Sequence, residues 1–392
     1  MVFGTDRQNS NVVLMTTSLG WGGTEGHVTD LAIGFVKRGI FPVVLADKPP
    51  LDRADILDRL GVKVEVVMNG KSMTKAEYIK TLSSILTRIN PSLIHLNNWE
   101  RRPCILSVIG GLKIPVIETL HTTIKSKVRL RAKIRYFFAI KAIREAYEST
   151  LPAVINISER SLQNFCKVYP FIKNTTRVYC GAYFPKESND VKAGGTAVKV
   201  IWVGSFIKRK RPVVALNIWK RILIDFPKTQ LVMVGDGPEM GKVKAIVKNM
   251  PPGSVKLCGN IPDLYPVLKE GHIMLHTSIA EGIPKNIRYA LNFGIPVVTT
   301  NVGAISEAVI DGMNGFLVDV SDIQLMEDRL RRLICNSTLR EAMGMQGRQL
   351  GDRLFRLDVM INNVLGAYKD FYGQDLAPRE TNLSNDFLFP LT

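Results

Sequence analysis

The sequence predicts an α/β protein built from two Rossmann-like domains, each with a mostly parallel sheet. Two observations carry this. Short apolar, β-branched runs alternate with helix-like stretches, which is the pattern of βαβ units. The alternation also breaks off once near mid-chain and then restarts. A length of 392 residues fits two or three domains at ~100–200 residues each.

The first half supplies strands at 11–18 (NVVLMTTS), 41–46, 62–67, 92–97 (SLIHLN), 114–120 (IPVIETL) and 153–158 (AVINIS). Helices are expected at 27–38, closed by Gly39, at 78–89, and from about Glu159. Residues 186–196 (KESNDVKAGGT) lack apolar periodicity and read as a linker. The pattern resumes with a strand at 198–203, a helix at 212–226, and strands at 230–234, 255–257, 273–276 and 296–300. An amphipathic helix closes the pattern at 357–372. The expected division is 1–185, the linker, 197–352, a terminal helical segment 353–374 and a loosely ordered tail 375–392.

Composition narrows the function. The chain is 46% hydrophobic and 22% charged, ordinary for a globular protein. Lys and Arg number 52 against 35 Asp and Glu, a net +17. That excess favours anionic partners such as nucleic acid, a membrane surface or phosphorylated ligands; the plain alternative is solvated surface charge. The five cysteines are scattered without a C-x-x-C pair, so neither a zinc site nor a disulfide framework is indicated and a reducing cytoplasm is expected. The first ten residues lack the plan of a signal peptide, and no apolar run approaches the ~20 residues of a membrane span.

Candidate site residues gather where strands end. Gly20-Trp21-Gly22-Gly23-Thr24-Glu25-Gly26 lies between a strand and a helix, where glycines let backbone N–H groups approach an anion. The loop is not G-x-G-x-x-G, although Asp47 ends the next strand as a ribose-binding acid would, so a dinucleotide enzyme is a weak alternative. His121 follows a buried-type strand, at the end where open α/β sheets bind ligands; a lone histidine can equally be structural. In the second half, Lys208-Arg209-Lys210-Arg211 stands between a strand and a helix and suits a diphosphate. Glu281-Gly282-Ile283-Pro284 makes another such turn, where a carboxylate can accept sugar hydroxyls and loop N–H groups can face a phosphate.

Together these residues resemble the family-4 retaining glycosyltransferases of GT-B fold, and the resemblance covers nearly the whole chain. It is carried by GGTEGHVTDLAIGFVKRG, by His121, by LVMVGDGPEMGKVKAIVKNM, by VKLCGNIPDLYPVLKEGHIMLHTSIAEGIP and by VGAISEAVIDGMNGFLV, in the family's order. The resemblance implies two domains whose sheets face a central cleft, and sugar transfer from a nucleotide-diphosphate sugar with retention, without a metal or other cofactor. It implies His121, Glu281 and Lys210 as the catalytic set. It implies donor contacts from Gly22, Gly23, Gly204, Ser205, Lys208, Arg209, Gly235, Gly237, Gly282, Ile283, Pro284, Lys285, Asn286 and Tyr289. In GT-B enzymes a C-terminal helix crosses back to the first domain, which would be 357–372 here.

Three positions depart from the family. A second glutamate, eight residues after the first, is Tyr289; a usual arginine is Ser205; and Cys180-Gly181 replaces a frequent Asn-Gly. Tyr289 is expected at the ribose or base, and Lys208, Arg209 or Arg211 would compensate for the arginine. These departures leave a divergent, non-catalytic GT-B protein binding nucleotide or glycan as the alternative.

The segment 125–144 (KSKVRLRAKIRYFFAIKAIR) holds eight Lys or Arg and no acid, and GT-B enzymes face the acceptor here. Lys125, Lys127, Arg129, Arg131, Lys133 and Arg135 alternate with other residues at period two, so this is not a clean amphipathic membrane helix. The expectation is peripheral contact with an anionic membrane on its cytoplasmic face, to reach a lipid-linked sugar or cell-surface glycan. Nothing resembles a nucleic-acid module.

Overall fold

A computed structural model describes residues 12–20, 22–68, 72–97, 102–121, 153–182, 197–261, 263–373 and 376. The basic segment 125–144, the linker 186–196 and nearly all of the tail 375–392 lie outside the described residues. Two compact units divide the chain between Gly181 and Ala182 and again between Arg356 and Leu357.

The first unit holds a seven-stranded sheet in the order β3-β2-β1-β4-β5-β6-β7, all parallel. Its strands are β1 (Val12–Thr16), β2 (Val43–Ala46), β3 (Lys63–Val66), β4 (Leu93–Asn97), β5 (Val116–Leu120), β6 (Ala153–Asn156) and β7 (Thr175–Arg177). The central strands β1 and β4 are buried along their whole length, which explains their unbroken apolar runs. Helices α1 (Gly23–Val36), α2 (Ala54–Arg59), α3 (Lys75–Ile89), α4 (Arg102–Leu112) and α5 (Glu159–Val168) connect them. Helix α3 starts on a capping box, Thr74 with Glu77. Helix α1 begins at Gly23, four residues before its apolar pattern becomes visible. Its first turn contains Gly23 and Gly26, poor helix formers that mask the start in sequence.

The second unit holds a six-stranded parallel sheet in the order β10-β9-β8-β11-β12-β13. Its strands are β8 (Lys199–Val203), β9 (Gln230–Val234), β10 (Val255–Leu257), β11 (Ile273–His276), β12 (Val297–Thr300) and β13 (Gly315–Val318). Between them run α6 (Pro212–Asp225), α7 (Met240–Val247), α8 (Tyr265–Glu270) and α9 (Lys285–Asn292), and α10 (Ile323–Cys335) and α11 (Ser337–Leu354) follow. Trp202, Phe206, Trp219 and Ile222 lie at the centre of this unit's core with Leu216, Leu231 and Leu275. Strands β7 and β13 had no counterpart in the sequence pattern. The first is the polar triplet Thr-Thr-Arg at a sheet edge, and the second is four residues long.

Helix α12 (Leu357–Tyr372) belongs to the first unit. Leu357, Met360, Ile361, Val364, Ala367 and Tyr368 form its buried stripe. Gly34 of α1 gives it room, since a Cβ there would sit 2.3 Å from Ile361 Cγ1. The Tyr368 hydroxyl lies 2.7 Å from His95 Nδ1, and His95 Nε2 lies 2.6 Å from Thr119 Oγ1. Tyr372 accepts from the Ala153 N–H and donates to the Val116 carbonyl, so one side chain ties β5, β6 and α12.

Candidate active site

In both sheets the strand order reverses direction at one point, between β1 and β4 and between β8 and β11. Loops leaving the carboxyl ends of strands diverge there and leave a crevice for ligands. In the second unit the two loops are those after β8, residues 204–211, and after β11, residues 277–284.

Backbone and side-chain bonds tie these loops together. The Ile279 N–H donates to the Arg209 carbonyl at 3.0 Å, and Thr277 Oγ1 donates to the Lys210 carbonyl at 2.8 Å. Trp202 Nε1 donates to the same hydroxyl at 3.0 Å. Arg211 adopts a left-handed conformation (φ 56°, ψ 52°) just before Pro212, which starts α6. That turn sends Arg211 to the Val320 carbonyl, 2.8 Å away, and leaves Lys210 and Arg209 facing the other loop.

Glu281 is the focus of this arrangement. Its side chain is 9% exposed, with Oε1 2.6 Å from Lys210 Nζ, 3.2 Å from Arg209 Nη1 and 3.8 Å from His276 Nε2. Arg209 Nη1 also donates to the Ala280 carbonyl at 2.8 Å. Burial alone would raise the Glu281 carboxyl. Lys210, with the Ser278 hydroxyl, outweighs that and holds it below its ordinary value. Gly303, at φ +59°, backs the loop: a Cβ there would sit 1.6 Å from the Glu281 carbonyl oxygen. The structure thus distinguishes the four basic residues, of which the resemblance had singled out Lys210 and left Lys208, Arg209 and Arg211 as alternatives beside it. Lys210 and Arg209 pair with Glu281, Arg211 is committed to Val320, and Lys208 is exposed.

The other predicted residues of this unit have visible local roles. Gly235 and Gly237 pack against the loop after β8; a Cβ on Gly235 would meet the Gly204 carbonyl oxygen at 2.0 Å, and one on Gly237 the Phe206 backbone. Phe206 N–H donates to the Asp236 carbonyl, which joins the two turns, and Ser205 beside it is exposed. Gly282 is half-buried and Ile283 is buried. Pro284 is the N-cap of α9, with no side-chain cap. Asn286 Nδ2 donates to the Val203 carbonyl at 2.6 Å while its Oδ1 accepts from Ile287 N–H, so this side chain fastens α9 to the end of β8. Tyr289 stands one turn along α9, with Lys285 Nζ 5.4 Å from its ring centroid.

The first unit places its candidates around His121. Its Nε2 lies 3.2 Å from Asn97 Oδ1, at the end of β4. The Asn97 amide donates to the His95 carbonyl at 3.3 Å, which leaves Oδ1 to accept from the His121 ring. His27 of α1 meets the His121 ring edge-on, with centroids 4.8 Å apart. His95 beneath them is fully buried and its pKa falls to about 3, through burial and then the nearby His121. Gly22 caps α1, Gly23 opens it, and Glu25 folds back so that a Cβ on Gly22 would meet its Oε2 at 2.1 Å. His27, Asn97 and His276 were not singled out from sequence. His95, Asn97 and His276 lie in strands β4 and β11, and polar residues in such apolar runs were the available signal. The basic residues Lys125 to Arg135 lie outside the described residues, and among the described residues no three metal-ligating side chains cluster.

Comparison with known proteins agrees along the length of the chain. The model for Glycosyltransferase Family 4 matches residues 21–182, and that for Glycosyl transferases group 1 matches 184–350. The chain is 24% identical over 270 residues to N-acetyl-alpha-D-glucosaminyl L-malate synthase of Bacillus anthracis, covering 68% of this chain and 70% of that protein. It is 30% identical over 77 residues to the capsular polysaccharide biosynthesis glycosyltransferase CapM of Staphylococcus aureus, 20% of each chain. Among solved structures, Anabaena HepE in complex with UDP-glucose superposes with a TM-score of 0.75 at 16% identity, over 92% of this chain and 99% of that one. With its two parallel sheets and these tandem family matches, the chain belongs to the family-4 glycosyltransferases of GT-B fold.

Proposed function

We propose that the enzyme transfers a sugar from a nucleotide-diphosphate sugar to a lipid-linked or cell-surface glycan, with retention and without a metal. The observation that supports this most is the convergence of Lys210, Arg209 and Glu281 on the two loops at the β8/β11 switch point. Lys210 and Arg209 would neutralise the donor diphosphate, and the N–H groups at the start of α9 would add to them. Charge grows on the leaving diphosphate during transfer, and fixed cations aimed at it lower the barrier. Glu281 would accept hydroxyls of the donor sugar, Tyr289 would lie at the nucleoside, and His121 would bind or polarise the sugar. The UDP-glucose held by HepE supports a nucleotide-sugar donor, and CapM, by its name, supports assembly of a surface polysaccharide.

Among the described residues no helix is long and apolar enough to cross a membrane. Contact with an anionic membrane, on its cytoplasmic face, would fall to the basic segment 125–144. The test is cleavage of UDP-, GDP- and ADP-sugars by the whole chain, with and without a chelator, and NMR assignment of the product anomer. The reading expects one nucleotide class to be used, chelator-resistant turnover and a retained anomer. An inverted product or turnover abolished by the chelator would sink the corresponding part.

A further inference from the structure

The mechanism above gives no role to the buried His276. His276 is the last residue of β11, 2% exposed, and stands opposite Thr299 of β12 in the sheet. Its Nδ1 lies 3.0 Å from Thr299 Oγ1, and its Nε2 lies 3.2 Å from Ser278 Oγ and 3.8 Å from Glu281 Oε1. Ser278 is completely buried, and its carbonyl accepts from the Thr300 hydroxyl, which fixes its backbone. Thr299, His276 and Ser278 are thus joined by hydrogen bonds from β12 inward, and the Ser278 hydroxyl hydrogen-bonds the carboxylate that the donor reading places on the sugar.

We propose that His276 is a positioning residue for Glu281, acting through Ser278 to aim a hydrogen bond at the carboxylate. Two proton arrangements fit the distances. In one, Thr299 donates to Nδ1, Nε2–H donates to Ser278 Oγ, and the Ser278 hydroxyl donates to Glu281. In the other every bond runs backwards, and the Ser278 oxygen turns its lone pairs toward an anion. The charge of Glu281 selects the first. The competing acceptor for Thr299, the Thr300 carbonyl, is also more distant, at 3.3 Å. His276 suits the task because it stays neutral: burial and the facing Lys210 and Arg209 hold its pKa at about 3, against the opposite pull of Glu281. A neutral imidazole has one donor and one acceptor, and so passes direction along the chain. The device rests on the donor reading in one respect: a bound diphosphate would draw Lys210 and Arg209 off Glu281, and this bond would keep the carboxylate aimed.

Substitutions that mimic one ring nitrogen at a time test this. His276→Gln keeps a donor near Nε2, His276→Asn keeps only the Nδ1 side, and His276→Leu keeps bulk alone. We expect UDP-glucose cleavage by the whole chain to retain at least about a third of kcat in His276→Gln. It should fall about tenfold in His276→Asn, His276→Leu and Ser278→Ala with KM nearly unchanged, the scale of one hydrogen bond to a charged group. A second readout needs no turnover: the Glu281 carboxyl, followed by 13C NMR and assigned with Glu281→Gln. Loss of a donor to the charged form raises its pKa, by about 0.5 or more in His276→Asn and Ser278→Ala but not in His276→Gln. A Glu281 titration that is the same in all variants, or full kcat in His276→Leu, would overturn the proposal. If UDP-glucose is not cleaved at all, that failure belongs to the donor reading, and the titration alone decides the positioning role.

Discussion

Replacing Lys210 by Met removes the closest partner of a nearly enclosed carboxylate. The Lys210 and Glu281 side chains are 14% and 9% exposed, 2.6 Å apart. Removing one member of a buried pair costs ~3–5 kcal/mol, because the other charge is left without its counter-ion. Arg209 remains 3.2 Å from the carboxylate, but it is 47% exposed and well solvated. The expected loss is therefore at the low end, about 3 kcal/mol at neutral pH. Urea unfolding of the whole chain followed by tryptophan fluorescence measures it, since Trp202 and Trp219 are both buried in this unit's core. The double variant Lys210→Met/Glu281→Leu leaves no unpaired charge and should regain most of the loss, which makes the cycle strongly non-additive. The pH dependence has a fixed sign. Lys210 holds the folded Glu281 pKa down and its loss lets burial raise it, so the stability difference is fully present above the variant's raised pKa and fades as pH falls from there through the lowered value of the unaltered protein. A loss under ~1 kcal/mol, or additivity in the double variant, would show that the pair is solvated and the reasoning wrong.

Three further outcomes follow from the same geometry. Gly303→Ala forces a Cβ toward the Glu281 carbonyl at positive φ, so it should destabilise by more than ~1 kcal/mol and lower turnover, seen in melting and rate together. Tyr368→Phe leaves His95 Nδ1 without its hydroxyl and should cost ~1–2 kcal/mol in unfolding; an unchanged midpoint would mean that the bond contributes nothing. Tyr289→Glu restores two acceptor oxygens at the proposed nucleoside position and should tighten UDP binding several-fold by calorimetry. An unchanged Kd would place that residue elsewhere.

Much of the fold was legible because its elements carry strong periodicity. The stripe of Leu357–Tyr372 gives the observed bounds, and the buried strands β1, β4, β8 and β11 stand out as apolar runs between polar turns. The start of α1 was hidden by its glycines, and β7 by its polarity. At the site, strand ends marked Glu281 and the basic run, and the resemblance singled out Lys210, but it left Lys208, Arg209 and Arg211 as alternatives beside it. The choice among them depends on one left-handed residue, Arg211, which turns its own side chain to Val320 and sets its neighbours toward Glu281. His276 went unnoticed because its strand reads as core; only the sheet register shows it beside Thr299 and within reach of Glu281.

The central claim is that Glu281, held by Lys210 and Arg209, belongs to the donor site. The most direct measurement is steady-state turnover of the active nucleotide sugar by Glu281→Gln beside the unaltered enzyme, with circular dichroism to check that the fold is kept. The account predicts a fall in kcat of about a hundredfold or more, the scale on which one charge-positioning group acts. Equal turnover by a folded Glu281→Gln variant would contradict it.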